Sequence, residues 1–85
     1  MNTEKLMKAL ANHRRLAILK ALDRNKEMTV IETACQIKLS FKATSKHLLI
    51  LFHADVLERR QIGLQVFYFL ADPLHPLIRK LLTYL

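Results

Sequence analysis

The segment SFKATSK, residues 40–46, places short hydroxyl side chains next to cations. Lysine and arginine neutralise phosphate charges, and serine hydroxyls can hydrogen-bond to phosphates or to base edges. The side chains with this chemistry are Ser40, Lys42, Ser45 and Lys46, together with Arg59 and Arg60 further along the chain. No acidic residue lies between Glu32 and Asp55, so a phosphate would meet little repulsion there. These residue types predict contact with a nucleic acid.

The spacing of the cations also fits a simpler interpretation. Lys42 and Lys46 are four residues apart, which is the spacing of two side chains on the solvated face of an ordinary surface helix. Charge spacing alone favours this second interpretation. The elements that position the cations are needed to decide between the two.

Five helices and one hairpin are predicted along the chain, and the first two helices are amphipathic. Leu6, Met7 and Leu10 share one face of a short helix over residues 3–11. Asn12 is a suitable N-cap for a second helix, HRRLAILKAL, which ends where DRNKE interrupts the apolar pattern. Both helices therefore have an apolar face that another part of the fold must cover.

Capping signals mark the third and fourth helices. Thr29 and Glu32 form the pattern of a capping box, in which each side chain accepts a hydrogen bond from the other residue's backbone N–H. Ser40 is the expected N-cap of a fourth helix over residues 40–53. The inner face of that helix is formed by Thr44, Leu48 and Leu51. The candidate nucleic-acid contacts then lie on its outer face.

The pattern changes from helical to β-prone after the fourth helix. Asp55 is expected in the left-handed conformation that often ends a helix. The runs VLERR and QVFYFL flank QIGL, in which Gly63 can supply a positive φ, and this pattern predicts a two-stranded hairpin. Pro73 and Pro76 open a last helix, LIRKLLTYL, where a missing backbone N–H is tolerated.

This order of elements is that of a winged helix-turn-helix. The predicted fold class is mainly α with a small β-hairpin, in which a two-stranded wing lies between the fourth and the fifth helix. The second helix of such a pair can lie in the DNA major groove with its N-terminal residues at base edges. The element order therefore shifts the interpretation of Lys42 and Lys46 toward DNA binding.

The composition limits the class of protein. The 85 residues predict one small domain, 1–85, with a formal net charge of +7, which suits a polyanion. The apolar fraction of 52% is high for so short a chain and, with apolar terminal helices, predicts a partner subunit. The sequence shows no signal-peptide pattern and no apolar run long enough for a membrane span. We therefore expect a cytoplasmic protein without a membrane partner.

Three segments resemble the ArsR family of winged-helix repressors, in order and at the family's spacings. ALANHRRLAILKAL is similar to the family's opening ALADPTRLRILLLL, and LSFKATSKHLLILFHADVLERR is similar to LSQPTVSRHLKVLREAGLVRSR. IGLQVFYFL is similar to the family's wing and return strand, EGRWVYYSL. The resemblance extends over nearly the whole chain.

The resemblance implies a homodimer that binds an inverted repeat in double-stranded DNA and usually represses transcription. Carried over by position, it adds Phe41 and His47 to the DNA-facing set. It also implies that residues 1–11 and 73–85 form the dimer. The apolar side chains of these two helices are Leu6, Met7, Leu10, Leu77, Leu81, Leu82 and Tyr84. No cofactor is implied, and a small-molecule effector is not specified.

Departures from the family pattern leave a second function open. The family's frequent glutamine after the capping serine is Phe41 here, and an aromatic ring can contact a thymine methyl but cannot form a bidentate bond to adenine. Leu49 replaces a frequent cation, and Ile62 and Leu64 flank the glycine of the wing tip, which is often basic in the family. The alternative function is a protein-interaction module that uses an apolar surface at Phe41, Leu49, Ile62 and Leu64.

The sequence argues against a thiolate metal sensor and against an enzyme. Where many family members have a cysteine pair, this chain has Thr29 and Ile31, and its single cysteine, Cys35, is expected to be a buried inert thiol. Only Asp72 and His75 lie near the last helix, where the family has a second metal site. No glycine-rich phosphate loop, nucleophile motif or convergent acid cluster is present.

Overall fold

The computed structural model describes residues 2–85, which form five helices and a three-stranded antiparallel sheet. The elements are α1 (Thr3–Leu10), α2 (His13–Asn25), β1 (Glu27–Thr29), α3 (Val30–Ile37), α4 (Phe41–His53), β2 (Leu57–Ile62), β3 (Gln65–Leu70) and α5 (Pro76–Leu82). The helices α3 and α4 are the helix-turn-helix pair, and β2 and β3 are the wing. This order confirms the predicted winged helix-turn-helix.

The predicted N-caps are all present. The side-chain oxygen of Asn12 accepts from the backbone N–H groups of Arg14 and Arg15 at 2.9 and 3.1 Å. At the start of α3, the Thr29 N–H donates to Glu32 Oε1 at 2.8 Å, and the Glu32 N–H donates to Thr29 Oγ1 at 3.2 Å. Each helix start is thus fixed by a side chain within its own first turn, because the first N–H groups of a helix have no backbone partner.

The chain turns from α4 into the wing through a left-handed residue. Asp55 has a φ of 63°, as predicted. Its N–H donates to the carbonyl of Phe52 at 3.1 Å, and the N–H of Val56 donates to the carbonyl of Leu51 at 3.0 Å. This pair of bonds is the Schellman arrangement, which satisfies the last carbonyls of a helix. The wing therefore starts within a few residues of the end of α4.

The segment between α2 and α3 differs from the prediction. The helix α2 ends at Asn25, and its C-cap is Lys26, whose φ is 73°. Residues 27–29 then add a third strand to the sheet, in the order β1-β3-β2, with Met28 opposite Tyr68. A strand of three residues is too short to show an alternating apolar pattern, so the sequence did not reveal it.

The last helix is shorter than predicted. Its first residue is Pro76, and it ends at Leu82 rather than continuing to Leu85 as predicted. Pro73 lies in the connection before it. The side chain of His75 is the N-cap and accepts from the Leu77 N–H at 3.0 Å.

The core fixes the orientation of α4. Its predicted inner face is fully buried, with Thr44, Leu48 and Leu51 each 0% exposed. They are joined in the interior by Leu6, Leu10, Ile18, Leu19, Leu22, Val56, Leu57 and Ile78. Full burial of a leucine side chain contributes about 1.5–3 kcal/mol to folding. Since α4 packs on α2, α3 and β2, its opposite face is held outward.

Candidate nucleic-acid interface

The outer face of α4 brings together most of the predicted DNA-facing residues. Phe41, Lys42, Ser45 and Lys46 line one surface groove beside α1. Phe41 is 57% exposed, and both lysines are exposed as well. Ser40 stands at the helix start, where its hydroxyl accepts from the Ala43 N–H at 3.1 Å. Its position as a cap leaves the hydroxyl proton available to another acceptor.

The lysines on this face have no acidic partner within residues 2–85. Within residues 2–85, the salt bridge joins Arg60 of β2 to Glu27 of β1 and includes neither lysine. Lys42 and Lys46 share their groove with Lys5 and Lys8 and with one acidic side chain, Glu4, which forms a salt bridge with neither of them. A phosphate can bind them without breaking an ion pair within the chain.

His47 lies differently from the other predicted contacts. It is half-buried, and its Nδ1 lies 3.2 Å from Nη1 of Arg15. Because a guanidinium group only donates, the Nδ1 must accept and the imidazole must be neutral. Burial, and then the charges of Arg15 and Arg14, lower the pKa of His47 below its ordinary value. His47 thus holds α4 to α2, and a contact with DNA stays a prediction.

Arg15 is a residue that sequence reasoning missed. Its Nε donates to the carbonyl of Ala9 at 2.6 Å and its Nη2 to the carbonyl of Lys8 at 3.3 Å. These carbonyls belong to the last turn of α1, where a cation is electrostatically favourable. Together with the bond to His47, Arg15 connects α1, α2 and α4. Its partner on α4 lies 32 residues away, so no local sequence signal could have identified it.

The two wing arginines lie on opposite faces of β2, because successive strand residues alternate. The guanidinium carbon of Arg59 lies 4.1 Å from the ring centre of Phe52, and its Nη1 donates to the Tyr68 hydroxyl at 3.3 Å. On the other face, Nη2 of Arg60 donates to both carboxylate oxygens of Glu27, at 2.6 and 2.9 Å. The structure therefore does not bring the two arginines together. Phe52 and Glu27 were not predicted as part of this region.

The wing tip is apolar and exposed. Gly63 has a φ of 64° and forms, with Leu64, the two-residue connection between β2 and β3. A glycine at the first position of such a connection is typical of a type II′ turn. Leu64 is 100% exposed and Ile62 is 54% exposed. These two residues do not line the groove that contains Phe41 and Leu49.

The predicted dimerisation residues divide into three groups by their exposure. Leu6 and Leu10 are buried in the core of the chain itself. Met7, Leu77 and Tyr84 are exposed at 49%, 40% and 76%. Leu81 and Leu82 are half-buried. A small apolar groove of about 230 Å³ lies between α1 and α5 and includes Met7, Leu77 and Leu81.

Cys35 is exposed, which corrects the prediction of a buried thiol. The buried positions of α3 are Thr33 and Ala34, and Cys35 lies beyond them toward solvent. Within residues 2–85, no group of three or more histidine, cysteine or acidic side chains is arranged to hold a metal ion. None of the helices within residues 2–85 could form a membrane span.

The fold and the outward cationic face of α4 define the class of winged helix-turn-helix regulatory proteins. The sequence model of bacterial regulatory proteins of the arsR family matches residues 12–59, which is more than half of the chain. The chain therefore belongs to the ArsR family, a family of regulators rather than enzymes. No curated protein matches the chain.

Solved structures support the same assignment. The transcriptional regulator HlyU from Vibrio vulnificus is 32% identical over 94% of this chain and 79% of that one, with a TM-score of 0.77. The homodimeric domain Mb0332 from Mycobacterium bovis is 27% identical over 95% of this chain and 75% of that one, with a TM-score of 0.85. The repressor PagR of Bacillus anthracis is 26% identical over 95% of this chain and 88% of that one, with a TM-score of 0.79.

Proposed function

We propose that the protein is a cytoplasmic, DNA-binding transcriptional repressor that acts as a homodimer. The observation that carries this proposal is the two-sided construction of α4. Its inner face is fully buried, and its outer face presents Lys42 and Lys46 without acidic partners. A helix held in this way can enter a major groove without rearranging the core.

The individual contacts follow from side-chain chemistry. Lys42 and Lys46 bind phosphates or guanine edges, and Ser40 and Ser45 hydrogen-bond to phosphates or bases. Phe41 contacts the methyl group of a thymine. Arg59 and Arg60 bind the flanking backbone from the wing. This assignment predicts an operator with thymine at the position that Phe41 meets.

The dimer in this proposal is formed by α1 and α5. The exposed apolar side chains of Met7, Leu77 and Tyr84, and the apolar groove between these helices, support it. The similar domain Mb0332 is described as homodimeric. A two-fold dimer presents two α4 helices, so its operator is an inverted repeat whose half-sites are about one helical turn apart. The similarity to PagR, a transcriptional repressor, supports the repressor role.

The test is a salt titration of binding to random-sequence duplex DNA, followed by selection of tight binders from a random pool. We expect log K to fall steeply with log salt, because each phosphate contact contributes a slope of about 0.9. We also expect the selected sequences to share an inverted repeat. Shallow salt dependence with no enriched sequence would contradict the proposal. Sedimentation of the free protein gives its oligomeric state independently.

Phe41 and Leu49 are exposed in one groove, and Ile62 and Leu64 are exposed at the wing tip. These apolar side chains favour a second candidate function, a protein-interaction module with two separate apolar surfaces. Under this alternative, substitution of Leu64 by serine would weaken binding to a defined protein partner and leave DNA affinity unchanged. The same substitution weakens DNA binding if the wing tip lies in the minor groove. Parallel measurements on DNA and on any co-purifying partner decide between the two.

A further inference from the structure

A groove of about 880 Å³ lies between α1 and the outer face of α4. We refer to this surface as the α1–α4 groove. Its apolar side chains come mainly from α4, with Phe41, Leu49 and Ile50 exposed at 57%, 36% and 38%. Ala9 and Ala54 complete the apolar part of the lining. The volume is within the range of about 300–1,000 Å³ that is typical of small-molecule sites.

The charged side chains in the lining of the α1–α4 groove are mostly cations, beside the uncharged polar side chains of Asn2 and Ser45. Lys5 and Lys8 lie along α1, and α4 contributes two more lysines. The single acidic side chain in the lining is Glu4. The salt bridge found within residues 2–85 joins Arg60 to Glu27, and both of these residues lie outside the groove. None of the four lysines therefore has an acidic partner in that range. The groove therefore combines an apolar surface with several unneutralised ammonium groups.

This combination selects one class of ligand by charge complementarity. A neutral apolar molecule would cover the side chains from α4 but leave the lysines without a counter-ion. A small inorganic anion would bind the lysines and leave the apolar surface exposed. A molecule with an apolar body and one carboxylate satisfies both, since ion-pair hydrogen bonds to a carboxylate are stronger than neutral ones.

The α1–α4 groove lies on the side of α1 opposite the proposed dimer face. The groove contains positions 5 and 8 of α1, whereas Met7 and Leu10 line the apolar groove beside α5. At 3.6 residues per turn, positions 5 and 8 project from a different side of the helix than positions 7 and 10. Pairing of the terminal helices would therefore leave the α1–α4 groove open to solvent.

We propose that the α1–α4 groove binds an amphipathic carboxylate and that this ligand competes with DNA. Phe41, Lys42 and Lys46 are shared between the groove and the DNA-facing surface. A carboxylate bound to these lysines removes the cations that a phosphate needs, and its apolar body covers Phe41. The competition rests on the proposed DNA-binding function, whereas the binding site itself does not. The ligand is then an inducer that acts by direct exclusion.

The first experiment measures binding without DNA, with sodium decanoate as the probe below its micellar concentration. Titration calorimetry and amide chemical-shift mapping are run in parallel with decanol and with acetate. We expect saturable decanoate binding, with the largest shifts at Lys8, Leu49 and Ile50. Decanol and acetate should each bind at least about tenfold more weakly. Equal affinity for decanol, or shifts centred on α5, would overturn the assignment of the site.

Two substitutions and a matched control refine this test. Lys8→Gln removes one ammonium group and Ile50→Asn removes part of the apolar surface, and each should weaken decanoate binding about tenfold. Lys20→Gln removes a charge from the exposed surface of α2, outside the groove, and should leave the affinity unchanged. Thermal melts monitored by circular dichroism verify that each variant is folded. If Lys20→Gln weakens binding as much as Lys8→Gln, the groove is not the site.

The second experiment measures DNA affinity with and without decanoate. We expect decanoate to weaken DNA binding by the parent protein, and to do so at least about tenfold less effectively in Ile50→Asn. Each variant is compared with its own affinity in the absence of decanoate. Decanoate binding without any change in DNA affinity would overturn the competition. If the protein does not bind DNA at all, the proposed function fails while the first experiment still decides the ligand site.

Discussion

The lysines of α4 and the arginines of the wing carry the same charge but have different surroundings. Lys42 and Lys46 are exposed without an acidic partner in residues 2–85. Arg60 is ion-paired with Glu27, and Arg59 lies over the ring of Phe52. Binding a phosphate therefore breaks no ion pair at α4, whereas at the wing it competes with contacts that the arginines already make.

This difference shows why a count of cations does not measure an electrostatic surface. An exposed ion pair is worth about 0.2–1 kcal/mol, and a cation–π contact at an exposed site about 0.5–1 kcal/mol. Each wing arginine loses an energy of this order when it turns toward DNA. We therefore expect most of the salt-dependent affinity to come from α4, with the wing contributing less per cation.

The largest expected effect is on DNA binding by the double substitution Lys42→Ala/Lys46→Ala. If both lysines contact phosphates, the slope of log K against log salt should become shallower by about 2. If either contacts a base, discrimination at that position should fall by about 1–3 kcal/mol. Salt titrations on random and on selected duplexes distinguish these outcomes.

The matched double substitution Arg59→Ala/Arg60→Ala should change the slope by less than the lysine pair does. A control pair, Lys20→Ala/Arg24→Ala, removes two exposed charges from α2 and should have little effect on the slope. An equal change for the arginine and lysine pairs would show that the intramolecular contacts of the wing do not limit its binding to phosphate.

The next effect concerns Glu27, whose carboxylate holds Arg60. Glu27→Gln should increase DNA affinity, because it releases the guanidinium group for a phosphate. It should lower the free energy of unfolding by about 0.2–1 kcal/mol, since the pair is exposed. Salt titrations and urea unfolding give the two quantities.

Glu58→Gln is the control for the general gain of one positive charge. Glu58 is exposed on β2, on the same face as Arg60, and takes no part in the salt bridge. Glu27→Gln should therefore strengthen DNA binding more than Glu58→Gln. If the two variants behave alike, the change reflects net charge and not the release of Arg60.

The next prediction concerns stability alone and tests the contact between Arg59 and Phe52. In a double-mutant cycle with Phe52→Leu and Arg59→Ala, the coupling free energy of unfolding should be about 0.5–1 kcal/mol. The cycle cancels the packing energy that is lost with the ring, because Phe52→Leu loses it both in the parent protein and in the Arg59→Ala variant. Strictly additive effects would mean that the stacked geometry contributes no stability, and the wing would then differ from α4 only through Arg60.

The contacts that make the wing arginines different from the lysines of α4 are also the contacts that the sequence did not predict. The caps at Asn12, Thr29 and Ser40 and the left-handed Asp55 were predicted correctly, because each depends on residues within one or two turns. The buried face of α4 followed from helical periodicity. The Arg60–Glu27 pair joins residues 33 positions apart, and local patterns contain no information about such a pair.

Cys35 shows a different limit of sequence reasoning. Its neighbour Ala34 is buried, and adjacency to a buried residue suggested a buried thiol. On a helix, however, adjacent residues point about 100° apart, so burial at one position does not extend to the next. The short strand over residues 27–29 was missed for a related reason, since its pairing with β3 is determined by distant residues.

The smallest expected effect is the pH dependence that His47 contributes to stability. Burial and the nearby charges of Arg15, Arg14, His13 and Lys46 lower its pKa in the folded protein from 6.5, so the unfolded chain binds the proton first as the pH falls. Stability should therefore decrease as the pH falls from about 6.5 toward the lowered pKa, and His47 contributes no slope at higher pH.

His47→Gln, whose side-chain oxygen can still accept from Arg15, should flatten this part of the profile. Urea unfolding at several pH values compares the two proteins directly, and because His13, His53 and His75 are present in both, the difference between the profiles belongs to position 47. An unchanged or steeper profile for the variant would mean that the imidazole is not held neutral against Arg15.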